Sequence, residues 1–165
     1  MWVATGERLT RESFARYRQL GGGVITFSRT EEMTRTALQH PLMMIASDGR
    51  IVDGKGHPRS AGSFSKVLGQ YVREEQLITL MDALRRMTIE PARRLEAFVP
   101  SMANKGRIRV GADADITVFD PESILDQATY VDPNQPSAGI EYVLVNGGVV
   151  LDNGVLDPRV RNGVA

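Results

Sequence analysis

The pattern of apolar and polar positions along this chain has two regimes, which meet near Ile108. Before that point, helix-like stretches alternate with short runs that are apolar at every position. Thr10 stands as an N-cap before RESFARYRQL, and the glycines at 21–23 can stop that helix and release the chain. VITF (Val24 to Phe27) follows as a predicted strand. Thr30 opens a second helix, EEMTRTALQ, whose glutamates lie in the first turn, where they favour the helix dipole. Pro41 separates it from LMMIA (Leu42 to Ala46), a second predicted strand. Strands that are apolar throughout, rather than at alternate positions, belong to a parallel sheet covered on both faces.

After Asp48 the sequence GRIVDGKGHPRSAGS predicts a glycine-rich loop, and a helix from about Phe64 to Glu75. Loops of that length in a compact domain are usually functional or disordered. Thr79 and Asp82 form a Thr-x-x-Asp capping box for LMDALRRM, in which Leu80, Leu84 and Met87 make an apolar stripe that reads as core. A short helix is expected from Pro91 to about Ala97, with the proline at its first position. Beyond Ile108, ADITVFD and IEYVLVNGGVVLDNGVL are rich in Val, Ile, Phe and Tyr, with a hairpin turn at Asn146-Gly147-Gly148. They predict a small antiparallel β unit. The intervening DPESILDQATYVDPNQPSAG is punctuated by Pro, Asp and Asn and reads as loop.

Composition removes several classes of function. With 42% hydrophobic and 24% charged residues in 165 positions, the chain has the make-up of one ordinary soluble domain. Twenty basic residues balance twenty acidic ones, and no basic block interleaved with aromatics offers a track for nucleic acid. No apolar run reaches membrane-spanning length and the start lacks the apolar region of a signal peptide, so the expected location is the cytoplasm, without membrane contact. There is no cysteine, and His40 and His57 are the only imidazoles, a poor supply for a self-contained zinc site.

Asp48 ends the apolar run MMIASDG. Its local context, Asp-Gly after a predicted strand, is what a tight turn asks for. His57 and Arg59, taken alone, read as solvated loop residues. His40, ahead of its strand, reads as structural. Asp113, Asp115 and Asp120 bracket a strand and supply turns rather than a metal site.

Several stretches in order, GERLTRESF, HPLMMIASDG, HPRSAGSFSKVLGQYVREE, MTIEPARRL, GRIRVGADADITVFDP and AGIEYVLVNGGVV, resemble the C-terminal part of the D-aminoacylase (N-acyl-D-amino-acid deacylase) family of the amidohydrolase superfamily. GADADITVFDP specifies only the superfamily; SDG followed by HPR narrows it. The resemblance implies an α/β fold: the end of a TIM-like (β/α)₈ metal-dependent hydrolase barrel over residues 1–98, then the C-terminal share of a small β-sandwich over 99–165. Such a barrel takes about 250 residues, more than this sequence has, so the expectation is a piece of one, with VITF and LMMIA as the last two barrel strands. It implies that Asp48, at the C-terminal end of its strand, is catalytic, taking a proton from a zinc-bound water and passing it to the leaving nitrogen. It implies that Arg59 pairs with the carboxylate of an N-acyl amino acid substrate, for which the planar guanidinium fork is suited. His57 is a further substrate-side candidate, for shaping the loop or hydrogen-bonding near the site.

The family's metal ligands, a His-x-His pair, a bridging Cys, Lys or Glu and two further histidines, have no counterpart in this sequence. The expectation is therefore zinc in the complete family enzyme and none held by this chain alone. A piece with open sheet edges and uncovered apolar faces should also associate with itself or with a complementing N-terminal chain. Two alternatives remain at this point. One is a cyclic-amide hydrolase of the hydantoinase or dihydroorotase type, against which HPR after SDG argues; the other is a non-catalytic module that pairs with another chain.

Overall fold

Thr10 and Thr30 cap the two helices expected of them in the computed structural model, which describes residues 1–164. In α1 (Arg11–Leu20) the Ser13 N–H donates to Thr10 Oγ1 at 3.2 Å while the Thr10 N–H donates to Ser13 Oγ at 2.9 Å. In α2 (Glu31–Gln39) the Met33 N–H donates to Thr30 Oγ1 at 3.2 Å. These bonds satisfy N–H groups that the helices leave without internal partners.

The two predicted parallel strands do not form. Val24 makes an isolated bridge to Trp2, and Leu42 to Ala46 join no ladder among the described residues. Ile25 and Ile45 are buried, but Val24, Phe27, Leu42 and Met44 are exposed, so neither run is covered on both faces. An apolar run specifies a surface to be buried; a strand also needs a hydrogen-bonding neighbour, and here the Ile45 N–H turns to the carbonyl of Arg86 at 3.1 Å.

The glycine-rich stretch is more ordered than its composition suggests. β1 (Ile51–Val52) and β2 (Lys55–Gly56) pair antiparallel around Asp53-Gly54, both at positive φ (51° and 71°), the backbone that a two-residue hairpin requires. The following helix begins at Arg59 rather than Phe64: α3 (Arg59–Lys66) continues without a break into a π-helical segment (Val67–Glu74). Its end is marked by the Glu75 N–H donating to the carbonyl of Gln70 at 2.8 Å, one residue further back than an α-helix would reach. α4 (Leu80–Met87) has the Asp82 N–H on Thr79 Oγ1 at 3.1 Å. α5 (Ile89–Glu96) places Pro91 third instead of first, still within the opening turn where no N–H has an internal partner.

Leu38, Ile45, Val67, Leu68, Tyr71, Ala83 and Ile124 form the core, with Leu80, Leu84 and Met87 packed against it as the stripe predicted. Arg86 is buried and donates to the carbonyls of Leu38 and His40 at the end of α2, which gives His40 its structural place. Tyr71 donates to Glu31 at 2.8 Å and Arg35 grips Glu75 through two bonds of 2.7 and 2.9 Å, so α2 is tied to the π-helical segment.

The C-terminal region forms one antiparallel sheet in sequence order, β3 (Ile116–Phe119), β4 (Ile140–Val145), β5 (Gly148–Asp152) and β6 (Val155–Leu156). Asn146-Gly147 makes the expected hairpin, and Asn153-Gly154 makes a second one of the same kind. Asp115 accepts the Asn146 N–H at 2.7 Å and a Lys105 ammonium at 2.5 Å, and Asp120 accepts from the Glu122 N–H at 2.9 Å. Both aspartates hold turns. The 120–138 connection is irregular, as its punctuation predicts, but it is not a loose loop: Ile124 and Pro133 are among the most deeply buried side chains.

Candidate active site

Asp48 follows the buried Ile45 by three residues and has φ 42°, a left-handed backbone that aspartate adopts more readily than most residues. The tight turn that Asp48-Gly49 predicts does not form: residues 47–50 make no assigned turn, and only the left-handed backbone of Asp48 remains of it. Its carboxylate, 90% exposed, projects away from the core and meets Arg59, the first residue of α3, with Nη2 to Oδ2 at 3.3 Å. Two of the candidate residues, eleven positions apart, are therefore brought together.

What holds them is compact. A Cβ at Gly49 would lie 2.0 Å from Ser60 Oγ and 2.5 Å from Ser60 Cα, so only glycine lets the chain beside Asp48 lie on the start of α3. The Arg59 N–H donates to His57 Nδ1 at 3.1 Å, which makes neutral His57 carry its hydrogen on Nε2. Burial first, and then the neighbouring Arg59 charge, hold His57 below the usual histidine range, consistent with that neutral form. His57 joins the site as a support for Arg59. Nε2 faces the Tyr130 hydroxyl at 3.5 Å, and the two rings meet edge-on with centroids 5.2 Å apart. Tyr130 was not a sequence candidate. Its one signal was a lone aromatic in a polar stretch, ATYVD, which carries no indication of what lies opposite.

The ion pair between Asp48 and Arg59 is weak by construction. It engages one guanidinium nitrogen, both side chains are well exposed, and exposed pairs contribute only about 0–1 kcal/mol. An incoming carboxylate can displace Asp48 from the guanidinium at little cost, gain two parallel bonds and leave Asp48 free.

Zinc does not fit the donors present. His57 Nδ1 is occupied by the Arg59 N–H, and His40 Nδ1 accepts the Leu42 N–H at 3.3 Å. No group of three or more His, Cys, Asp or Glu side chains among the described residues is placed to hold a metal ion. A cleft of about 540 Å³ between Gln39, Leu77, Thr79 and Arg86 includes none of Asp48, His57 or Arg59. No helix among the described residues is long and apolar enough to cross a membrane.

The chain is a mixed α/β one in which a carboxylate and an arginine are brought together, and comparison with known proteins gives its family. The amidohydrolase family model matches residues 18–151, and the chain belongs to that family. It is 48% identical over 128 residues to an N-acyl-D-glutamate deacylase of Alcaligenes xylosoxydans xylosoxydans, covering 78% of this chain and 25% of the relative. A D-aminoacylase of the same organism is 38% identical over 128 residues, again 25% of its length. Among solved structures, the N-acyl-D-glutamate deacylase of Bordetella bronchiseptica, complexed with zinc and a phosphonate mimic of the tetrahedral intermediate, matches with TM-score 0.66 and 44% identity, over 75% of this chain and 25% of that one. A D-aminoacylase with a binuclear metal center matches with TM-score 0.69 and 33% identity, over 79% of this chain and 26% of that one. The chain spans about a quarter of the length of these relatives.

Proposed function

We propose that this chain is the C-terminal part of a zinc-dependent hydrolase that cleaves the amide bond of N-acyl-D-amino acids, with Asp48 as proton carrier and Arg59 as the site of the α-carboxylate. The observation that carries this is the 3.3 Å approach of Asp48 and Arg59 in a chain 48% identical to a deacylase over 128 residues. The zinc is held by residues outside this chain, since the donors present do not fit it. In this reading residues 1–98 complete a (β/α)₈ barrel and 99–165 supply one sheet of a β-sandwich, so Val24 to Phe27 and Leu42 to Ala46 become strands only beside the rest of the barrel. The whole works in the cytoplasm.

The chemistry assigned to these residues balances. A water oxygen attacks the amide carbonyl carbon while an Asp48 oxygen takes one of its protons; as the C–N bond breaks, that proton goes to the leaving nitrogen, giving a free amine and a carboxylic acid, whose remaining proton is then lost to solvent. Aspartate suits the first half because its ordinary pKa leaves it ionised near neutrality. Arg59 holds the substrate carboxylate through its fork and thereby fixes the amide relative to Asp48. The matched deacylases of N-acyl-D-glutamate and N-acyl-D-aspartate favour this open-chain amide over a cyclic one.

The test is assembly. This chain, co-expressed with the part of the Alcaligenes N-acyl-D-glutamate deacylase that it does not match, is expected to give a complex that holds zinc and releases D-glutamate from N-acetyl-D-glutamate. A complex that forms and holds zinc but hydrolyses no N-acyl-D-amino acid would sink the proposal. In the same complex, Arg59→Lys is expected to raise KM for substrates bearing an α-carboxylate by about 10–100-fold, because a point charge replaces the fork. Substrates without that carboxylate should be nearly unaffected. Equal losses on both would remove Arg59 from the role.

A further inference from the structure

The guanidinium of Arg59 is useful only if its backbone is fixed, and the bond fixing it ends on a histidine that is itself held from outside. His57 Nδ1 accepts the Arg59 N–H at 3.1 Å, and the other side of the imidazole meets the Tyr130 ring edge-on. Tyr130 also meets Phe27 edge-on, with centroids 4.9 Å apart, and the Arg8 guanidinium lies 3.8 Å over the Phe27 ring. Four separate stretches of chain are thus linked, contact by contact, to Arg59 and, through it, to Asp48.

The 120–138 connection that brings Tyr130 there is firmly anchored. Ser65 Oγ donates to Ser137 Oγ at 2.6 Å, and Arg73 Nη1 donates to the carbonyl of Ile124 at 2.6 Å. A Cβ at Gly62 would fall 1.8 Å from Asp126 Oδ1, and one at Gly69 would fall 2.6 Å from the Ile124 carbonyl oxygen, so the connection lies directly on α3 and the π-helical segment. Tyr130 and Phe27 are only partly covered, at 38% and 45% exposed.

We propose that Tyr130 is a positioning residue for Arg59: its ring holds the imidazole of His57, whose Nδ1 fixes the backbone from which the guanidinium reaches the substrate carboxylate. This rests on Arg59 being the carboxylate-binding residue. The ring carries the effect rather than the hydroxyl, because 3.5 Å from oxygen to Nε2 is at the outer limit of a hydrogen bond. The connection between β3 and β4 therefore tunes how well the site grips its substrate, although none of its residues touches Asp48 or Arg59 through a hydrogen bond among those described.

Hydrogen exchange on the 165-residue chain in its complex reads the linkage directly. Tyr130→Ala is expected to speed exchange of the Arg59 amide by about tenfold or more, while the Glu75 and Leu77 amides, bonded within the π-helical region, keep their protection. Tyr130→Phe, which retains the ring, should restore the Arg59 amide to the rate in the unaltered chain. In the complex, Tyr130→Ala should raise KM for carboxylate-bearing substrates by about tenfold, with kcat within about twofold. An unchanged Arg59 amide in Tyr130→Ala would overturn the proposal. So would equal acceleration at Glu75 and Leu77, which would mark Tyr130 as a general support of the fold, or a Phe variant as impaired as the Ala variant. The exchange measurement is independent of what Arg59 binds; Arg59→Lys tests that separately.

Discussion

Asp48→Asn, in the assembled enzyme, is expected to lower kcat by about 10²–10⁴-fold, the usual worth of a positioned general base, while zinc content and fold stay as they were. The amide is isosteric with the carboxylate, and its φ of 42° is one that asparagine adopts as readily as aspartate, so the backbone has no reason to move. The side chain is 90% exposed and its pair with Arg59 rests on one contact of 3.3 Å, so little stability is lost with the charge. What disappears is the basicity of the carboxylate, which the amide oxygen lacks, and with it the acceptor for the proton of the attacking water. The measurement is kcat together with metal content and thermal unfolding of the same preparation. Activity within about tenfold of the unaltered enzyme would leave Asp48 without a catalytic role.

The second large effect concerns the chain by itself, which is expected not to behave as a compact monomer. Leu42, Phe98, Ile108 and Val110 are 82%, 75%, 92% and 105% exposed, and Leu20, Val131 and Val155 are also mostly in water. Apolar surface returned to water forfeits about 25 cal/mol per Å², so a few hundred Å² approach the ~5–15 kcal/mol by which a whole domain is stable. β3 and β6 each leave one edge of the sheet unpaired among the described residues, which adds unsatisfied N–H and carbonyl groups to the same problem. Light scattering with thermal unfolding should show self-association or a broad transition, and both should be relieved in the complex with a complementing part. A monodisperse monomer that melts sharply would mean that the chain is an autonomous domain, and would favour a non-catalytic module over the hydrolase.

Short-range order was legible wherever the cause was local. Thr10, Thr30 and Thr79 cap the helices that their positions announce, and Asn146-Gly147 turns as an Asn-Gly pair must, because a capping hydroxyl or a positive φ is decided within a few residues. Asp53-Gly54, expected only as part of a loop, and Asn153-Gly154, expected inside a strand-rich run, form the same turns. The resemblance to amidohydrolases, visible in ordered motifs across most of the chain, agrees with the family match over residues 18–151. The helix start was less legible. The glycine-rich loop is expected to run through Ser63, but α3 begins at Arg59, where the Ser60 N–H already bonds back to the carbonyl of His57 at 3.1 Å.

The sequence by itself determined the helix caps and the Asn146-Gly147 turn, which depend on residue type and near neighbours alone, and the family, through motifs in order along the chain. Asp48, Arg59 and His57 stand out only through that resemblance, because their local context reads as turn and solvated loop. Only the tertiary structure decided that Val24 to Phe27 and Leu42 to Ala46 stand without ladders, because pairing needs a second strand at hydrogen-bonding distance and apolar character does not supply one. It also decided that Asp48 and Arg59 meet, since a separation of eleven residues is bridged by the Asp53-Gly54 hairpin and the close approach of Gly49 to Ser60. Tyr130 depended on it altogether: it reaches His57 across 73 positions because Ile124, Asp126 and Ser137 press its connection onto the helices, and contacts of that range leave no mark on local sequence.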